Sequence, residues 1–364
     1  MTPEKDELWM TRALELAEKG LFSTAPNPRV GCVITKKDSV VGEGWHKVAG
    51  EAHAEVLALR QSGGDAQGAT VYTTMEPCSH IGKTGPCVEE LIKAGVDRVV
   101  CAMKDPNPLV KGKGIERLKK SGIKVTLGVL EDKAMSLNVG FVNRMVYGRP
   151  WFRIKVAAGL DGKTALENGE SKWITGDESR IDVHRWRARS CGILTGIGTL
   201  ATDNPQLNVR RVKTNRQPVI VITDSNLRAL EGFKVFNNEK VLLVTAIEDT
   251  SKIKNFENKG IDVLSLPNQF GRVDLPALAK ELGNRQFNEV LTEAGCNLHS
   301  ALLKEGIFDE LLVYYAPIAM GSVGRGMFNV GNVERMENVP RFDLKEVTII
   351  GSDIRVRAFP KKGD

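Results

Sequence analysis

Residues 50–78 read GEAHAEVLALRQSGGDAQGATVYTTMEPC, and this stretch decides the fold class of the first half of the chain. Apolar residues at helical spacing predict a helix over 52–61, which the glycine pair at 63–64 ends. The short apolar run at 70–74 is typical of a buried strand. A helix that leads directly into a buried strand is the repeating unit of an α/β fold.

The same alternation extends outward from this stretch in both directions. Strands are predicted over 30–35 and 40–45 before it, and over 98–102 and 124–127 after it. Helical segments separate the later strands. Because a helical crossover returns the chain to the same edge of a sheet, we expect those later strands to be parallel.

The segment YGRP at 147–150 interrupts the helical period, and a new apolar strand follows it at 152–158. This break predicts a boundary between two domains, residues 1–147 and 148–364. The second part repeats the alternation of strands and helices as far as a strand at 346–350. The sequence therefore predicts two α/β domains.

Composition excludes several classes of protein. Hydrophobic residues make up 41% and charged residues 26% of the 364 positions, close to globular averages, which argues against disorder. No window reaches the roughly 18 consecutive apolar residues of a membrane span, and the charged amino terminus lacks the apolar core of a secretory signal. We therefore expect a cytoplasmic protein, in which the cysteines serve metal binding or packing rather than disulfides.

The formal net charge of +6 is a modest basic excess that suits phosphorylated small molecules. The sequence has no block of like charges and no aromatic residues interleaved with Lys and Arg, as a nucleic-acid surface would require. We therefore expect no nucleic-acid partner.

One histidine, one glutamate and two cysteines form a candidate metal site. His53 and Glu55 stand at a predicted helix start, Cys78 at a strand end and Cys87 at the next helix start. One imidazole and two thiolates supply three zinc ligands and leave the fourth position open to water, which is typical of a catalytic site. Glu55 is then placed to move protons. His80, on the loop between the cysteines, is an alternative ligand.

The first domain resembles a known enzyme family. His53-Ala54-Glu55 and Pro77-Cys78 follow the pattern of zinc-dependent nucleobase deaminases, except that eight residues, 79–86, separate the cysteines instead of two. Together with Asn27-Pro28 and the motif DPNP at 105–108, they resemble the deaminase half of the bifunctional riboflavin-biosynthesis deaminase/reductase. This resemblance implies a cytidine-deaminase-like α/β/α fold and the substrate contacts Asn27, His46, His80 and Lys83.

Two turns in the second domain are candidates for dinucleotide binding. The motif GIGTLA at 196–201 matches a dinucleotide fingerprint, but Asp203-Asn204-Pro205 follows at once, so we predict a glycine loop and no standard Rossmann helix. The motif EAGCN at 293–297 lies between a predicted strand and a predicted helix, where backbone amides could face a pyrophosphate. From the residues alone, dinucleotide binding stays open.

The segments 155–163, 171–175, 198–210 and 293–295 resemble the reductase half of the same family. The resemblance implies a dihydrofolate-reductase-like α/β fold that uses NADPH. By the same comparison, the substrate contacts are Lys155, Ser171, Arg187, Leu207, Arg210 and Glu293. The implied cofactor contacts are Ala157, Trp173, Thr199, Asp203, Ser225, Gly295, Cys296, Asn297, Leu298, His299, Ser300 and Ala301.

The implied function is a pair of reactions on one small phosphorylated pyrimidine. Zn²⁺ would support hydrolytic deamination of 2,5-diamino-6-(5-phosphoribosylamino)pyrimidin-4-one, and NADPH would reduce the ribosyl group to ribityl phosphate. Two other functions compete. A nucleic-acid deaminase would require a basic surface with stacking aromatics, and a non-enzymatic zinc module would require a fourth protein ligand and would not use Glu55. The oligomeric state stays open between a monomer and a homo-oligomer.

Overall fold

The computed structural model describes residues 2–79, 85–108, 110–230 and 232–361. The chain divides into two compact units, Met1–Gly148 and Arg149–Asp364. In the described part of the chain, no helix combines the length and the apolar character needed to cross a bilayer.

The first unit is built on a five-stranded sheet of order β2-β1-β3-β4-β5. Its strands are β1 (Gly31–Lys36), β2 (Ser39–Trp45), β3 (Thr70–Thr73), β4 (Arg98–Cys101) and β5 (Lys124–Leu127). Its helices are α1 (Pro3–Glu18), α2 (Ala54–Ser62), α3 (Cys87–Lys93), α4 (Lys113–Lys120), α5 (Glu131–Leu137) and α6 (Val139–Tyr147). Strand β1 pairs antiparallel with β2 and β3, whereas β3, β4 and β5 run parallel, as the sequence predicts.

Helices cover both faces of this sheet, because successive strand residues point to opposite sides. Helices α2, α3 and α4 pack on one face, and Cys32 and Cys101 are buried there, as expected for core thiols. Helices α1, α5 and α6 pack on the other face, around Val33 and Tyr72. The unit is therefore the predicted α/β/α sandwich.

Helix α2 contacts strand β2 through backbone. A Cβ atom added at Gly44 would lie 2.2 Å from the Ala54 carbonyl oxygen and 2.6 Å from the Ala58 nitrogen. Only glycine permits this approach. The close packing sets the position of the helix start, where His53 is the N-cap residue.

The second unit is built on a nine-stranded sheet of order β11-β10-β9-β8-β12-β6-β13-β16-β15 and a small β14-β7 pair. Its strands are β6 (Trp151–Gly159), β7 (Lys163–Ala165), β8 (Gly192–Gly196), β9 (Val219–Thr223), β10 (Val241–Thr245), β11 (Asp262–Ser265), β12 (Glu289–Thr292), β13 (Glu310–Ala316), β14 (Arg325–Gly326), β15 (Phe342–Ile350) and β16 (Asp353–Pro360). Its helices are α7 (Asp177–Arg189), α8 (Ile197–Asp203), α9 (Thr250–Glu257), α10 (Leu275–Asn284) and α11 (Cys296–Lys304), with short 3-10 helices at Lys234–Asn237 and Met336–Asn338.

The strands from β11 to β13 are parallel to their neighbours, and β16 and β15 extend the sheet antiparallel. A mixed sheet of this size with helices on its faces is an α/β fold, as predicted. Helices α10 and α11 pack on one side around Leu278 and Leu302. Helices α8 and α9 contribute Leu200 and Phe256 to a separate core.

The predicted glycine loop at 196–201 is wrong. Gly196 ends strand β8, and residues 197–201 belong to helix α8, which follows the strand directly and has seven residues. Asn204 adopts the left-handed conformation, with φ of 41°, and ends the helix. The stop signal at Asp203-Asn204-Pro205 therefore limits the length of the helix and does not prevent it from starting.

A buried ion network joins the strands at the centre of the second sheet. Arg153 on β6 is fully buried, with its guanidinium 3.0 Å from a Glu289 oxygen on β12 and 2.7 Å from a Glu310 oxygen on β13. The same guanidinium lies 4.4 Å from the centre of the Trp186 ring on α7. Because a buried charge is tolerated only when it is paired, these contacts favour one register of the three strands.

Candidate active sites

The three predicted zinc ligands lie together in the first unit. His53 Nδ1 is 3.1 Å from Cys87 Sγ and 3.5 Å from Cys78 Sγ, and all three donor atoms lie within 4.8 Å of one another. His53 caps helix α2, and Cys87 opens helix α3. Two helix starts and the loop after β3 therefore bring a nitrogen and two sulfur donors to one point.

The protein favours a thiolate at this point. The Cys87 backbone N–H donates to Cys78 Sγ at 3.4 Å. A hydrogen bond from the Cys87 thiol, assisted by the His53 contact, lowers the pKa of Cys78 to about 4, while the pKa of Cys87 rises. The two sulfurs thus share one proton, and one of them is available as an anionic ligand.

Glu55 lies in the first turn of helix α2 and is buried, 3% exposed. The Thr73 hydroxyl donates to its Oε1 at 3.4 Å. Burial raises the pKa of Glu55 above its ordinary value, although the charge of His53 opposes the rise. A carboxyl group in such an environment is suited to accepting and returning protons near neutral pH.

Asn27 and His46 form a hydrogen-bonded pair next to the predicted metal ligands. The His46 ring lies 5.4 Å from the His53 ring, centre to centre, in an edge-on arrangement. His46 Nδ1 is 3.2 Å from the Ala52 carbonyl oxygen, so it carries the proton and donates. His46 Nε2 then accepts from the Asn27 amide nitrogen at 3.0 Å, which fixes the orientation of the Asn27 side chain.

The loop that carries Cys78 is held by Glu76. The Glu76 carboxylate accepts backbone N–H bonds of 2.9 to 3.2 Å from four residues: Asp105, Gly112, Gly114 and Ile115. A Cβ atom added at Gly114 would lie 2.2 Å from the Pro77 carbonyl oxygen. Gly114 therefore allows α4 to pack against the peptide that precedes the predicted ligand Cys78.

Replacing Gly114 by Ala is expected to weaken zinc binding by about 10–100-fold, the range for residues that support metal ligands. The new methyl group would displace the Pro77 carbonyl group and, with it, Cys78. Competition with a zinc chelator measures the affinity, and Lys119→Ala, on the exposed side of the same helix, serves as the control. Equal zinc affinity in the Gly114 variant and in the control would contradict this role.

The second unit contains a large cavity of about 1390 Å³. All the substrate contacts that the sequence predicts for this unit line it: Lys155, Ser171, Arg187, Leu207, Arg210 and Glu293. Nine of the predicted cofactor contacts line it as well: Ala157, Trp173, Thr199, Asp203, Gly295, Cys296, Asn297, Leu298 and His299. Residues from distant parts of the sequence therefore meet at a single site.

Three predicted cofactor residues do not line the cavity: Ser225, Ser300 and Ala301. The Ser225 hydroxyl accepts from the Val273 backbone N–H at 3.2 Å. The Ser300 hydroxyl donates to the Cys296 carbonyl oxygen at 2.6 Å and accepts from the Asn329 N–H at 2.7 Å. Both hydroxyls hold backbone in place. His80 and Lys83 of the first unit lie outside the described residues.

A buried ion pair lies on the cavity wall. Arg187 binds Glu293 through two hydrogen bonds of 2.6 and 2.9 Å, and both side chains are only 11% exposed. Burial alone would raise the pKa of Glu293, but Arg187, with help from the charge of Lys155, lowers it to about 2. The third Arg187 nitrogen donates to the Asn208 carbonyl oxygen at 3.1 Å. The Arg187 guanidinium therefore binds the Glu293 carboxylate through two of its nitrogens.

Sequence reasoning missed several cationic or titratable residues of the cavity: Arg180, His184, Arg211, Arg228, Lys234 and Arg325. His184 lies in α7, and its Nδ1 accepts from the Arg210 N–H at 3.3 Å. Burial and the charges of Arg187 and Arg210 lower the pKa of His184 to about 4. From the sequence alone, a single histidine on a predicted helix does not indicate a cavity residue, because its contacts depend on how the helix packs.

Comparisons with known proteins match both halves of the chain. Residues 3–103 match the family model for the zinc-binding region of cytidine and deoxycytidylate deaminases, and residues 150–356 match the RibD C-terminal domain. The chain is 42% identical to the riboflavin biosynthesis protein RibD of Escherichia coli over 362 residues, which cover 96% of this chain and 98% of that protein.

Solved structures give the same result. RibD of Acinetobacter baumannii superposes with a TM-score of 0.92 at 45% identity, covering 99% of this chain and all of that chain. A Thermotoga maritima protein, described as a diaminohydroxyphosphoribosylaminopyrimidine deaminase/5-amino-6-(5-phosphoribosylamino)uracil reductase, superposes with a TM-score of 0.87 at 33% identity, covering 99% of both chains. The zinc-ligand geometry, the two matched domains and the full-length similarity place the chain in the RibD family of bifunctional riboflavin-biosynthesis deaminase/reductases.

Proposed function

We propose that residues 1–147 perform the zinc-dependent deamination and residues 148–364 the NADPH-dependent reduction. The first substrate is 2,5-diamino-6-(5-phosphoribosylamino)pyrimidin-4-one, and the second reaction converts the ribosyl group to ribityl phosphate. The observation that carries this proposal is the meeting of His53, Cys78 and Cys87 donor atoms within 4.8 Å. The description of the Thermotoga maritima relative supports the choice of substrate.

The donor set fits zinc, since one imidazole nitrogen and two thiolates are ligands that Zn²⁺ prefers and a catalytic site uses three. When bound, zinc supplies a nucleophile from water at neutral pH. His53, Cys78 and Cys87 would hold the ion, and the helix starts at His53 and Cys87 fix the direction of two of these ligands.

Glu55 moves the proton that the reaction requires. Its carboxylate takes a proton from the attacking water and returns it to the departing amino nitrogen, which leaves as ammonia while a ring carbonyl forms. Burial and the hydrogen bond from Thr73 keep the carboxylate in one place through both transfers.

Asn27 recognises the pyrimidine. Because His46 Nε2 takes a hydrogen bond from the Asn27 amide nitrogen, the amide oxygen is the group that Asn27 presents to an amino substituent of the ring. We assign His80 and Lys83 to the phosphate end of the substrate, where a cation would neutralise charge.

The cavity of the second unit fits a dinucleotide. Gly295 precedes the first turn of α11 with open space where a Cβ would be, so backbone amides can approach a phosphate group. NADPH supplies the hydride when bound. We assign Glu293 to the sugar hydroxyls and Arg210 to the substrate phosphate, while Arg187 holds Glu293 ionised and in place.

Zinc content tests the proposal. The wild-type protein is expected to contain about one zinc per chain by plasma mass spectrometry, and Cys87→Ala is expected to lose most of it, because two ligands bind zinc poorly. Cys191→Ala, which removes a free cysteine of the second unit, is the control. Zinc retained by Cys87→Ala, or a fourth protein ligand detected by X-ray absorption, would favour a structural zinc module instead.

A further inference from the structure

The loop that carries Asn27 in the first unit spans residues 24–30 and contains neither helix nor strand. The hydrogen bond to His46 sets the rotation of the Asn27 side chain, but it does not set where the main chain of the loop lies. The Asn27 backbone N–H donates to the Thr24 carbonyl oxygen at 2.9 Å, which is a contact within the loop. The position of the loop therefore depends on contacts from elsewhere in the unit.

Asn138, at the junction of helices α5 and α6, supplies such contacts. It is buried, 1% exposed, and it follows the last residue of α5 and precedes the first residue of α6. Its Oδ1 accepts the Arg29 backbone N–H at 2.7 Å, and its Nδ2 donates to the Arg29 carbonyl oxygen at 2.9 Å. One amide side chain thus satisfies both backbone polar groups of a residue that lies two positions after Asn27.

The same helix pair contacts the loop at two further points. The Arg29 guanidinium donates to the Leu137 carbonyl oxygen at 2.6 Å. Arg144 on α6 donates from Nη2 to the Pro26 carbonyl oxygen at 3.0 Å. Because Pro26 precedes Asn27 and Arg29 follows it, the contacts from α5 and α6 hold the main chain on both sides of Asn27.

The lengths of the Asn138 hydrogen bonds show which part of the unit its side chain supports. Its Nδ2 lies 3.5 Å from the Ala134 carbonyl oxygen of α5, which is a weak contact. Both bonds to Arg29 are shorter, at 2.7 and 2.9 Å, and they join residues 109 positions apart in the sequence. The Asn138 amide therefore acts mainly on the loop and only weakly on its own helix.

We propose that Asn138 is a positioning residue for recognition of the pyrimidine. Through the Arg29 main chain, and with support from Arg144, it holds Asn27 where the Asn27 amide oxygen meets an amino group of the ring. A displacement of about 1 Å in such a contact costs on the order of 10²-fold in rate, so the location of the main chain matters as much as the rotation of the amide. The inference rests on the role proposed above for Asn27 in deamination.

Steady-state ammonia release by the full-length, zinc-loaded protein tests this role in a double-mutant cycle. In Asn138→Leu, the KM for the diaminopyrimidine is expected to rise about 10–100-fold. The kcat should stay within about threefold and the zinc content should not change, because Glu55 and the zinc ligands are untouched. In the Asn27→Ala protein, adding Asn138→Leu should raise KM by less than about twofold, because Asn138 acts through Asn27.

Two further variants separate positioning from a general loss of stability. Arg144→Gln removes the guanidinium that contacts Pro26 and is expected to raise KM about 3–10-fold, so it tests the same support even if Asn138→Leu does not fold. Ile123→Ala is the matched control, because it removes a buried side chain from the core on the opposite face of the sheet. It should lower the melting temperature but leave KM within about twofold.

A wild-type KM in Asn138→Leu or in Arg144→Gln would overturn the proposal. So would additive rises in KM when Asn138→Leu and Asn27→Ala are combined, or a rise in Ile123→Ala as large as that in Asn138→Leu. These results differ from a failure of the function proposed above. In that case the zinc-loaded wild type would release no ammonia, or Asn27→Ala would have the wild-type KM.

Discussion

Glu55→Gln is expected to lower the rate of ammonia release by about 10²–10⁴-fold, the usual contribution of a general acid–base group. The amide has nearly the same shape, so the hydrogen bond from Thr73 can persist, but it cannot take up the proton. His53, Cys78 and Cys87 are unchanged, so we expect the variant to keep its zinc. Parallel assays of ammonia and of bound metal measure both effects.

Glu89→Gln is the matched control for this prediction, because Glu89 is an exposed carboxylate on helix α3 that pairs with Arg117. It should release ammonia at the wild-type rate. Wild-type activity in Glu55→Gln would show that Glu55 takes no part in the reaction. It would then favour a zinc site that needs no proton carrier.

The second large effect is expected from Arg187→Gln in the second unit. Removing Arg187 leaves Glu293 buried with a charge that Lys155 compensates only in part. Breaking a buried pair in this way destabilises the fold by about 3–5 kcal/mol. Because Glu293 is then no longer held in position toward the substrate, kcat/KM for NADPH-dependent reduction should fall by roughly 10²-fold. Deamination by the same protein should not change.

The effect of Arg187→Gln on stability should depend on pH. In the wild-type protein the pKa of Glu293 is lowered to about 2 from an ordinary value of 4.5. The ion pair therefore contributes its full stabilisation of the folded state above pH 4.5. This contribution is lost as the pH falls toward 2. The difference in melting temperature between wild type and variant should therefore be larger at pH 7 than near pH 3, and a difference independent of pH would contradict the ion-pair account.

The cluster of one histidine and two cysteines could be predicted from the sequence because its signals are local. His53 and Cys87 stand at helix starts, and Cys78 follows a strand, so three short motifs pointed to these residues as candidate ligands before any packing was known. The spacing between the two cysteines departs from the general deaminase pattern, yet their donor atoms still meet. A helix start fixes the direction of its first side chains regardless of the length of the preceding loop.

The lining of the cavity in the second unit could be predicted only where residues belong to family motifs. Arg228 and His184 are single residues outside those motifs, and their place on the wall follows from sheet order and helix packing. The Arg153 network was missed for a similar reason. Its partners lie 136 and 157 residues away, and no local pattern shows which strands are neighbours.

Helix α8 shows a limit of predicting helices from local sequence propensity. Glycine and the Asp-Asn-Pro sequence both argue against a helix, but tertiary contacts override these preferences. Leu200 is buried in the core formed with Ile193 and Ile220, which stabilises two helical turns before Asn204 ends them. Local propensity predicted where a helix would have to end, but it did not predict that a helix forms.

The most direct test of two linked reactions on one chain follows ammonia and NADPH oxidation separately, with zinc-loaded wild-type and Glu55→Gln proteins. Wild type given the diaminopyrimidine should release ammonia without NADPH, and should oxidise NADPH only as deaminated product forms. Glu55→Gln should oxidise NADPH when given the deaminated product but not when given the diaminopyrimidine. Prompt oxidation of NADPH by Glu55→Gln with the diaminopyrimidine, or no ammonia release by the zinc-loaded wild type, would contradict the account.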